Sequence, residues 1–267
     1  MGKYDGYLLL SDFDGTLAHT EYEITKEGKV AKKVISQENC EAIRYFQSEG
    51  GLFTLATGRL FSWVEQWTDF ILPNTYIASL NGAYICDLSG KDLLFSQPMD
   101  SDFVLQAERI RAACPDLEWV HFHSIHESLM VKKGEKIDFS EFLHPVYKMV
   151  FYAHKEQSDE YAQKIASLLD DRYVSMRSWI NGIEVQMRGA GKGESIARFK
   201  QALGERARVV VAVGDYENDV DMIRKADIGY AVANAVPALK EVADRITVSA
   251  NESALAKIIA ELPKIEA

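Results

Sequence analysis

Five short apolar runs punctuate the chain: YLLLS at 7–11, LFTLA at 52–56, YIASL at 76–80, VVVAV at 209–213 and IGYAV at 228–232. Each is continuous rather than alternating, and each ends at polar or glycine-containing sequence. A strand with water on one face alternates; a strand covered on both faces does not. The runs therefore read as strands of a parallel sheet sandwiched between helices. Helical periodicity fills the gaps between them. In SQENCEAIRYFQSEGG, Ser36 is placed to cap a helix whose Ala42, Ile43 and Phe46 share a face, and Gly50 stops it. Similar patterns over 217–226 and 236–243 make the two ends of the chain an α/β layered unit.

The middle has a different texture. Between Tyr84 and Arg188, strand-like segments (WVHFH, SLMVKK, YKMVFYAH, IEVQM) alternate with two helical ones (DSDFVLQAERIRAAC, SDEYAQKIASLLDD), as in an α+β module. The expected organisation is a core built from 1–83 and 189–267 with residues 84–188 inserted between its halves. Trp119, His121 and His123 alternate along one strand and share a face, with His126 just beyond. That face reads as an uncommitted polar surface, a substrate-facing one or, least expected, a zinc site. Trp63 and Trp67, spaced i and i+4, read most simply as helix packing. Residues 18–37 read either as a short hairpin turning at KEG, overhanging whatever lies beyond the first strand, or as a solvated loop.

Composition narrows the class. With 267 residues, 47% hydrophobic and 26% charged, the chain has the balance of an ordinary globular protein, and no run approaches the roughly 18 apolar residues of a membrane span. The N-terminal segment lacks a signal-peptide cleavage pattern, and the three cysteines, Cys40, Cys86 and Cys114, are too few and too scattered for a disulfide framework. These features place the expectation in the cytoplasm. A net charge of -10 disfavours nucleic acid and anionic membranes as partners. No feature bears on oligomeric state.

The polar residues that end the apolar runs carry the chemistry. Asp12 and Asp14 follow the first run, Thr57, Gly58 and Arg59 the second, Asn81 and Gly82 the third, and Gly214, Asp215, Asn218 and Asp219 the fourth. Ligands of open parallel sheets bind beyond the carboxyl ends of the strands, so these groups converge on one crevice. Asp12, Asp14 and Asp215, with Asp219 behind them and no His or Cys nearby, form a hard oxygen donor set suited to Mg2+, which would also offset the repulsion between adjacent carboxylates. Gly15 permits a sharp turn past the ligand. Thr57, with its hydroxyl and neighbouring N–H groups, and Lys192, flanked by glycines in GAGKGES, suit a phosphate.

The ordered set DFDGT (12–16), ATGR (56–59), NGA (81–83), GKGES (191–195) and GDYENDVDM (214–222) resembles the haloacid dehalogenase superfamily, in particular its Cof-type sugar phosphatase branch. The resemblance implies a Rossmann-like core carrying a large cap between the second and third motifs. It makes Asp12 the nucleophile, Asp14 the general acid and base, Thr57, Gly58, Lys192 and Asn218 the phosphate contacts, and Asp12, Asp215 and the Asp14 carbonyl the Mg2+ ligands, with Asp219 supporting the metal or Lys192. Arg59, Asn81, His121 and His123 remain candidates to face the substrate. Two departures stand out: the linker after Leu17 is longer than usual, and NESAL occupies a position where the family often has glycine.

The implied reaction is Mg2+-dependent hydrolysis of a small phosphorylated metabolite, a sugar phosphate above all, through an aspartyl phosphate. Two alternatives stay open: a sugar phosphomutase using the same nucleophile, and a silent module that binds phosphometabolites.

Overall fold

A computed structural model describes residues 2–25, 28–67, 71 and 73–265. The strands of the first half are β1 (Tyr7–Ser11), β2 (His19–Thr25), β3 (Gly28–Val34), β4 (Leu52–Leu55), β5 (Ile77–Ser79), β6 (Tyr84–Cys86) and β7 (Leu93–Ser96). Those of the second are β8 (Trp119–His123), β9 (Ser128–Lys132), β10 (Lys148–Tyr152), β11 (Tyr173–Trp179), β12 (Gly182–Met187), β13 (Val209–Gly214), β14 (Ile228–Ala231) and β15 (Arg245–Ile246).

The continuous apolar runs at 7–11, 52–56, 209–213 and 228–232 do what covered strands should. They form a parallel sheet in the order β15-β14-β13-β1-β4, in which Leu9 lies opposite Val211 on one side and Phe53 on the other. All five residues of β1 are buried. Helix Gln37–Ser48 packs with Ala254–Glu261, and Lys192–Leu203 with Val220–Lys225, so the sheet and its helices share one apolar core. Ser36 caps the first of these helices as expected, its Oγ accepting the Asn39 N–H at 3.2 Å.

Three readings of the pattern need correcting. The run at 76–80 is not a fifth parallel strand. Its β5 pairs antiparallel with β6 and β7 and touches the parallel sheet through a single bridge, Ala56 to Ala78, because the chain reverses at once through Leu80, Asn81 and Gly82, all at positive φ. The helix expected at 217–226 begins as a 3-10 turn, Glu217–Asp219, since the Asp219 carboxylate folds back onto the N–H groups of Asp215 and Tyr216. The helix at 236–243 shrinks to one turn, Pro237–Lys240.

The cap is a second, antiparallel sheet in the order β11-β12-β10-β8-β9. Its helices, Phe103–Ala113 and Lys155–Leu168, cover one face, where Val120, Phe122, Met149, Phe151, Ile183 and Val185 build a separate apolar cluster. A small third cluster, Leu80, Ala83, Tyr147 and Ala190, lies between the two. The linker at 18–37 is a hairpin, β2 with β3, although Lys26 and Glu27 of its turn fall outside the described residues. The three cysteines are buried. No helix among the described residues is long and apolar enough to cross a membrane.

Candidate active site

The site begins where β1 ends. The Asp12 N–H donates to Val213 O at 2.9 Å, so the aspartate leaves the sheet in line with the strand. Three residues after Asp12 the chain turns at Gly15, whose φ of +79° and whose approach to Asp215 both favour glycine: a Cβ there would lie 2.3 Å from Asp215 Oδ2. The turn brings Asp12 and Asp215 together. Lys192, in the first turn of its helix, reaches the same spot and donates to Asp12 Oδ1 at 2.6 Å and Asp219 Oδ1 at 2.7 Å.

This ammonium is 2% exposed, yet burial, which would lower its pKa, is overridden by the two carboxylates that raise it, so Lys192 stays charged. The carboxylates fare differently. Burial, above all, pushes both Asp12 and Asp215 well above the usual carboxylate range, and Asp219 adds repulsion at each. One lysine is therefore too little positive charge for two buried acids and the half-buried Asp215. Asp12, Asp215 and Asp219 each have a ligand atom within 4.8 Å of the others, the geometry of a cation site. Asp219 is the least available of the three. Its Oδ1 takes Lys192 and its Oδ2 accepts two backbone N–H groups, at 3.0 and 3.2 Å, which leaves Asp12 and Asp215 as the donors facing a cation.

Asp14 points elsewhere. Arg59 grips it with both arms of its fork, Nε to Oδ2 at 2.7 Å and Nη2 to Oδ1 at 2.9 Å, and Lys33 of the β2–β3 hairpin adds a contact at 2.8 Å. Burial alone would raise the Asp14 pKa, but the Arg59 hydrogen bonds and charge, with Lys33, bring it down to about 2. Thr57 is buried, and its hydroxyl accepts the Arg59 N–H at 3.1 Å, which fixes the turn that aims Arg59.

Asn81 is the third strand end's contribution. It is fully buried at φ 55°, its Oδ1 accepts from Asn218 at 3.2 Å, and its amide nitrogen donates to Glu184 of the cap. Glu184 in turn pairs with Lys148, 3.0 Å to each oxygen, and Lys148 donates to the Gly58 carbonyl at 2.7 Å. Both partners are about 2–3% exposed, so this pair joins cap to core through a dry interface. Arg177 of the cap also pairs with Glu217.

Above the aspartates opens a cavity of about 570 Å³ lined from below by Asp12, Asp14, Gly58, Arg59 and Asn218 and from the cap by Trp119, His121, His123 and Lys148. Motif residues from the first, second and fourth strand ends thus line one space, and Asn81 of the third stands behind it, hydrogen-bonded to Asn218. His121 and His123 face it with ring centroids 4.3 Å apart, and burial first, then Lys148, lowers both pKa values, which keeps the imidazoles neutral. Trp63 does pack as expected, edge-on to Phe13, but it also lies under the Arg59 guanidinium at 4.2 Å and lines the cavity.

Lys33, Lys148, Trp179 and Glu184 belong to the site and escaped the reading of the sequence. A lone charge within the apolar runs YKMVFYAH and GIEVQM was the available signal for Lys148 and Glu184.

Residues 9–259 match the family model for haloacid dehalogenase-like hydrolases. The chain is 26% identical over 253 residues to a 5-amino-6-(5-phospho-D-ribitylamino)uracil phosphatase of Bacillus subtilis, covering 94% of each chain. It is 27% identical to phosphoglycolate phosphatase 2 of Saccharolobus solfataricus, covering 94% of this chain and 90% of that one. Among solved structures, a haloacid dehalogenase-like hydrolase of Bacteroides thetaiotaomicron superposes with a TM-score of 0.74 at 23% identity, covering 95% and 98% of the two chains. With the family model spanning nearly the whole sequence and the motif residues gathered beneath one cavity, the chain belongs to the haloacid dehalogenase-like hydrolases.

Proposed function

We propose that the protein is a phosphatase that releases inorganic phosphate from small phosphorylated metabolites through an aspartyl phosphate on Asp12. The observation that carries this reading is the clamp of a buried ammonium, Lys192, on Asp12 Oδ1 at the floor of a cavity large enough for a small ester. Similarity to phosphatases supports it. Residues 84–188 act as the cap over a core of 1–83 and 189–267.

In this reading an Asp12 oxygen attacks phosphorus in line as the P–O ester bond breaks, and Asp14 gives its proton to the departing alkoxide. Asp14 then takes a proton from the water that attacks phosphorus, which frees phosphate and restores the Asp12 carboxylate. Lys192 favours the ionised form of the nucleophile against its burial, and Thr57, Gly58 and Asn218 hold the phosphate. In the resting arrangement Arg59 and Lys33 keep Asp14 deprotonated, so the acid role requires substrate to draw at least one of them away. Asp12, Asp215 and the Asp14 carbonyl would hold Mg2+, for which a donor set of oxygens without His or Cys is suited. The ion, when bound, offsets charge on the phosphoryl oxygens.

The test is phosphate release from a panel of monoesters, p-nitrophenyl phosphate among them. We expect release with Mg2+, loss in chelator and recovery on adding Mg2+ back. No free phosphate from any ester, or its transfer within a sugar without release, would overturn the reading.

A further inference from the structure

A chain of hydrogen bonds runs from the cap into the core, and its direction is fixed at the cap end. Glu184 on β12 and Lys148 on β10 form a buried ion pair, 3.0 Å from the ammonium to each carboxylate oxygen. A carboxylate held by an ammonium in a dry interface is ionised and can only accept. It therefore takes the amide nitrogen of Asn81, and Asn81 Oδ1 is left facing the core. That oxygen accepts from Asn218 Nδ2 at 3.2 Å. Asn218 lines the cavity, and its NH2 group, having given one N–H to Asn81, has a second to offer an anion. Gln186 Oε1 also faces the Asn81 nitrogen, but at 3.4 Å it lies beyond the usual hydrogen-bond range, so Glu184 is the acceptor that decides.

The junction of the two asparagines lies beside the loop after β4. A Cβ on Gly58 would stand 3.1 Å from Asn81 Oδ1 and 3.4 Å from Lys148 Nζ. Lys148 donates to the Gly58 carbonyl at 2.7 Å while Thr57 Oγ1 accepts the N–H of Arg59, so the peptide unit between Gly58 and Arg59 is held at both ends, one of them by the cap. If Asn81 turned over, its NH2 would meet the NH2 of Asn218, and Asn218 would have to turn as well. The corner beside Gly58 that now holds a donor would then hold an oxygen, which repels phosphate.

We propose that Glu184 is a positioning residue for the phosphoryl group: from the cap, through Asn81, it holds Asn218 in the orientation that donates to phosphate. The phosphate site is then complete only when the cap is seated. The inference rests on the phosphatase reading and deepens it, since it concerns the group that every ester shares and not the alcohol.

The experiment compares Glu184→Gln with Glu184→Leu, each in a Lys148→Met background, where neither leaves a buried charge unpaired and both should melt within a few degrees of each other. Glutamine keeps an oxygen that can accept from Asn81, with its NH2 directed to Ser178 Oγ, which lies 2.6 Å from Glu184 Oε1; leucine offers no acceptor. The readouts are calorimetric binding of inorganic phosphate in Mg2+ and kcat/KM for glycerol phosphate, a hexose 6-phosphate and p-nitrophenyl phosphate. The leucine variant should bind phosphate at least roughly fivefold more weakly than the glutamine variant, with kcat/KM lower by a similar factor for all three esters, as for one misdirected hydrogen bond to an anion. In an added Asn218→Ala background the difference should shrink below about twofold, because the amide that Glu184 acts through is gone. Equal phosphate affinities, a difference that changes with the alcohol of the ester, or one that persists in full without the Asn218 amide would overturn the proposal while leaving the phosphatase reading intact. A parent that frees phosphate from no ester would contradict the phosphatase reading instead, and the calorimetric comparison would still decide the role of Glu184.

Discussion

Asp12→Asn should abolish turnover, by roughly 10⁴-fold or more in kcat, without unfolding the protein. The amide matches the carboxylate in shape but is a poor nucleophile, so loss of the covalent step is not rescued by neighbouring groups. Stability should hold or rise. Burial already pushes the Asp12 pKa upward and Asp215 and Asp219 repel its charge, so a neutral side chain relieves a conflict, while Lys192 keeps Asp219 as a partner. This is the pattern of a residue whose charge serves chemistry at the expense of the fold. Phosphate release and thermal melting of the same preparation check it. A variant with native Tm that keeps turnover within tenfold of the parent would take Asp12 out of the nucleophile role.

Lys192→Met is the second large effect, and it falls on stability as well as on activity. Methionine fills much of the same volume but leaves Asp12 and Asp219, 5% and 0% exposed, with no cation between them. Removing one partner of a buried pair costs about 3–5 kcal/mol, which for a chain of this size lowers Tm by roughly 6–15 °C. Mg2+ should recover part of that loss, because any divalent cation favoured by the carboxylates stabilises the folded state by mass action, and its effect on Tm should be larger in the variant than in the parent. Melting curves with and without Mg2+ give the answer. A variant that melts like the parent would mean that the Lys192 clamp is not what keeps the buried acids together.

The parts of the site that are legible in the sequence share one property: their signal is local. Asp12, Thr57 and Asp215 each stand where a covered strand runs out, and an apolar run interrupted by a polar residue is visible without knowing what lies across from it. Lys192 is visible because glycines flank it and helical periodicity follows. Four strands of the parallel core were legible for the same reason; the edge strand β15, two exposed residues long, leaves no apolar run, and at 76–80 five apolar residues look like a central strand until the left-handed backbone from Leu80 to Gly82 turns them away.

What was hidden depends on register and distance. Lys148 and Glu184 are 36 residues apart, and they meet only because β10 and β12 pair so that Val150, two residues from Lys148, lies opposite Glu184. Lys33 reaches Asp14 only because the β2–β3 hairpin folds back along its own length, a choice that the charged sequence of 18–37 leaves open. The Arg59 fork on Asp14 is likewise a tertiary fact: a polar residue after a strand is visible in the sequence, its partner is not. These are the contacts that set which carboxylate is free to act and what the cavity accepts.

The central claim, that the phosphoryl group passes through Asp12, is tested most directly by stereochemistry at phosphorus. The measurement is hydrolysis, in water of a third oxygen isotope, of a phosphorothioate monoester made chiral with the other two. Two successive in-line displacements, first by the Asp12 carboxylate and then by water, each invert phosphorus, so the account predicts thiophosphate of retained configuration. Net inversion would mean a single displacement by water, and would contradict it.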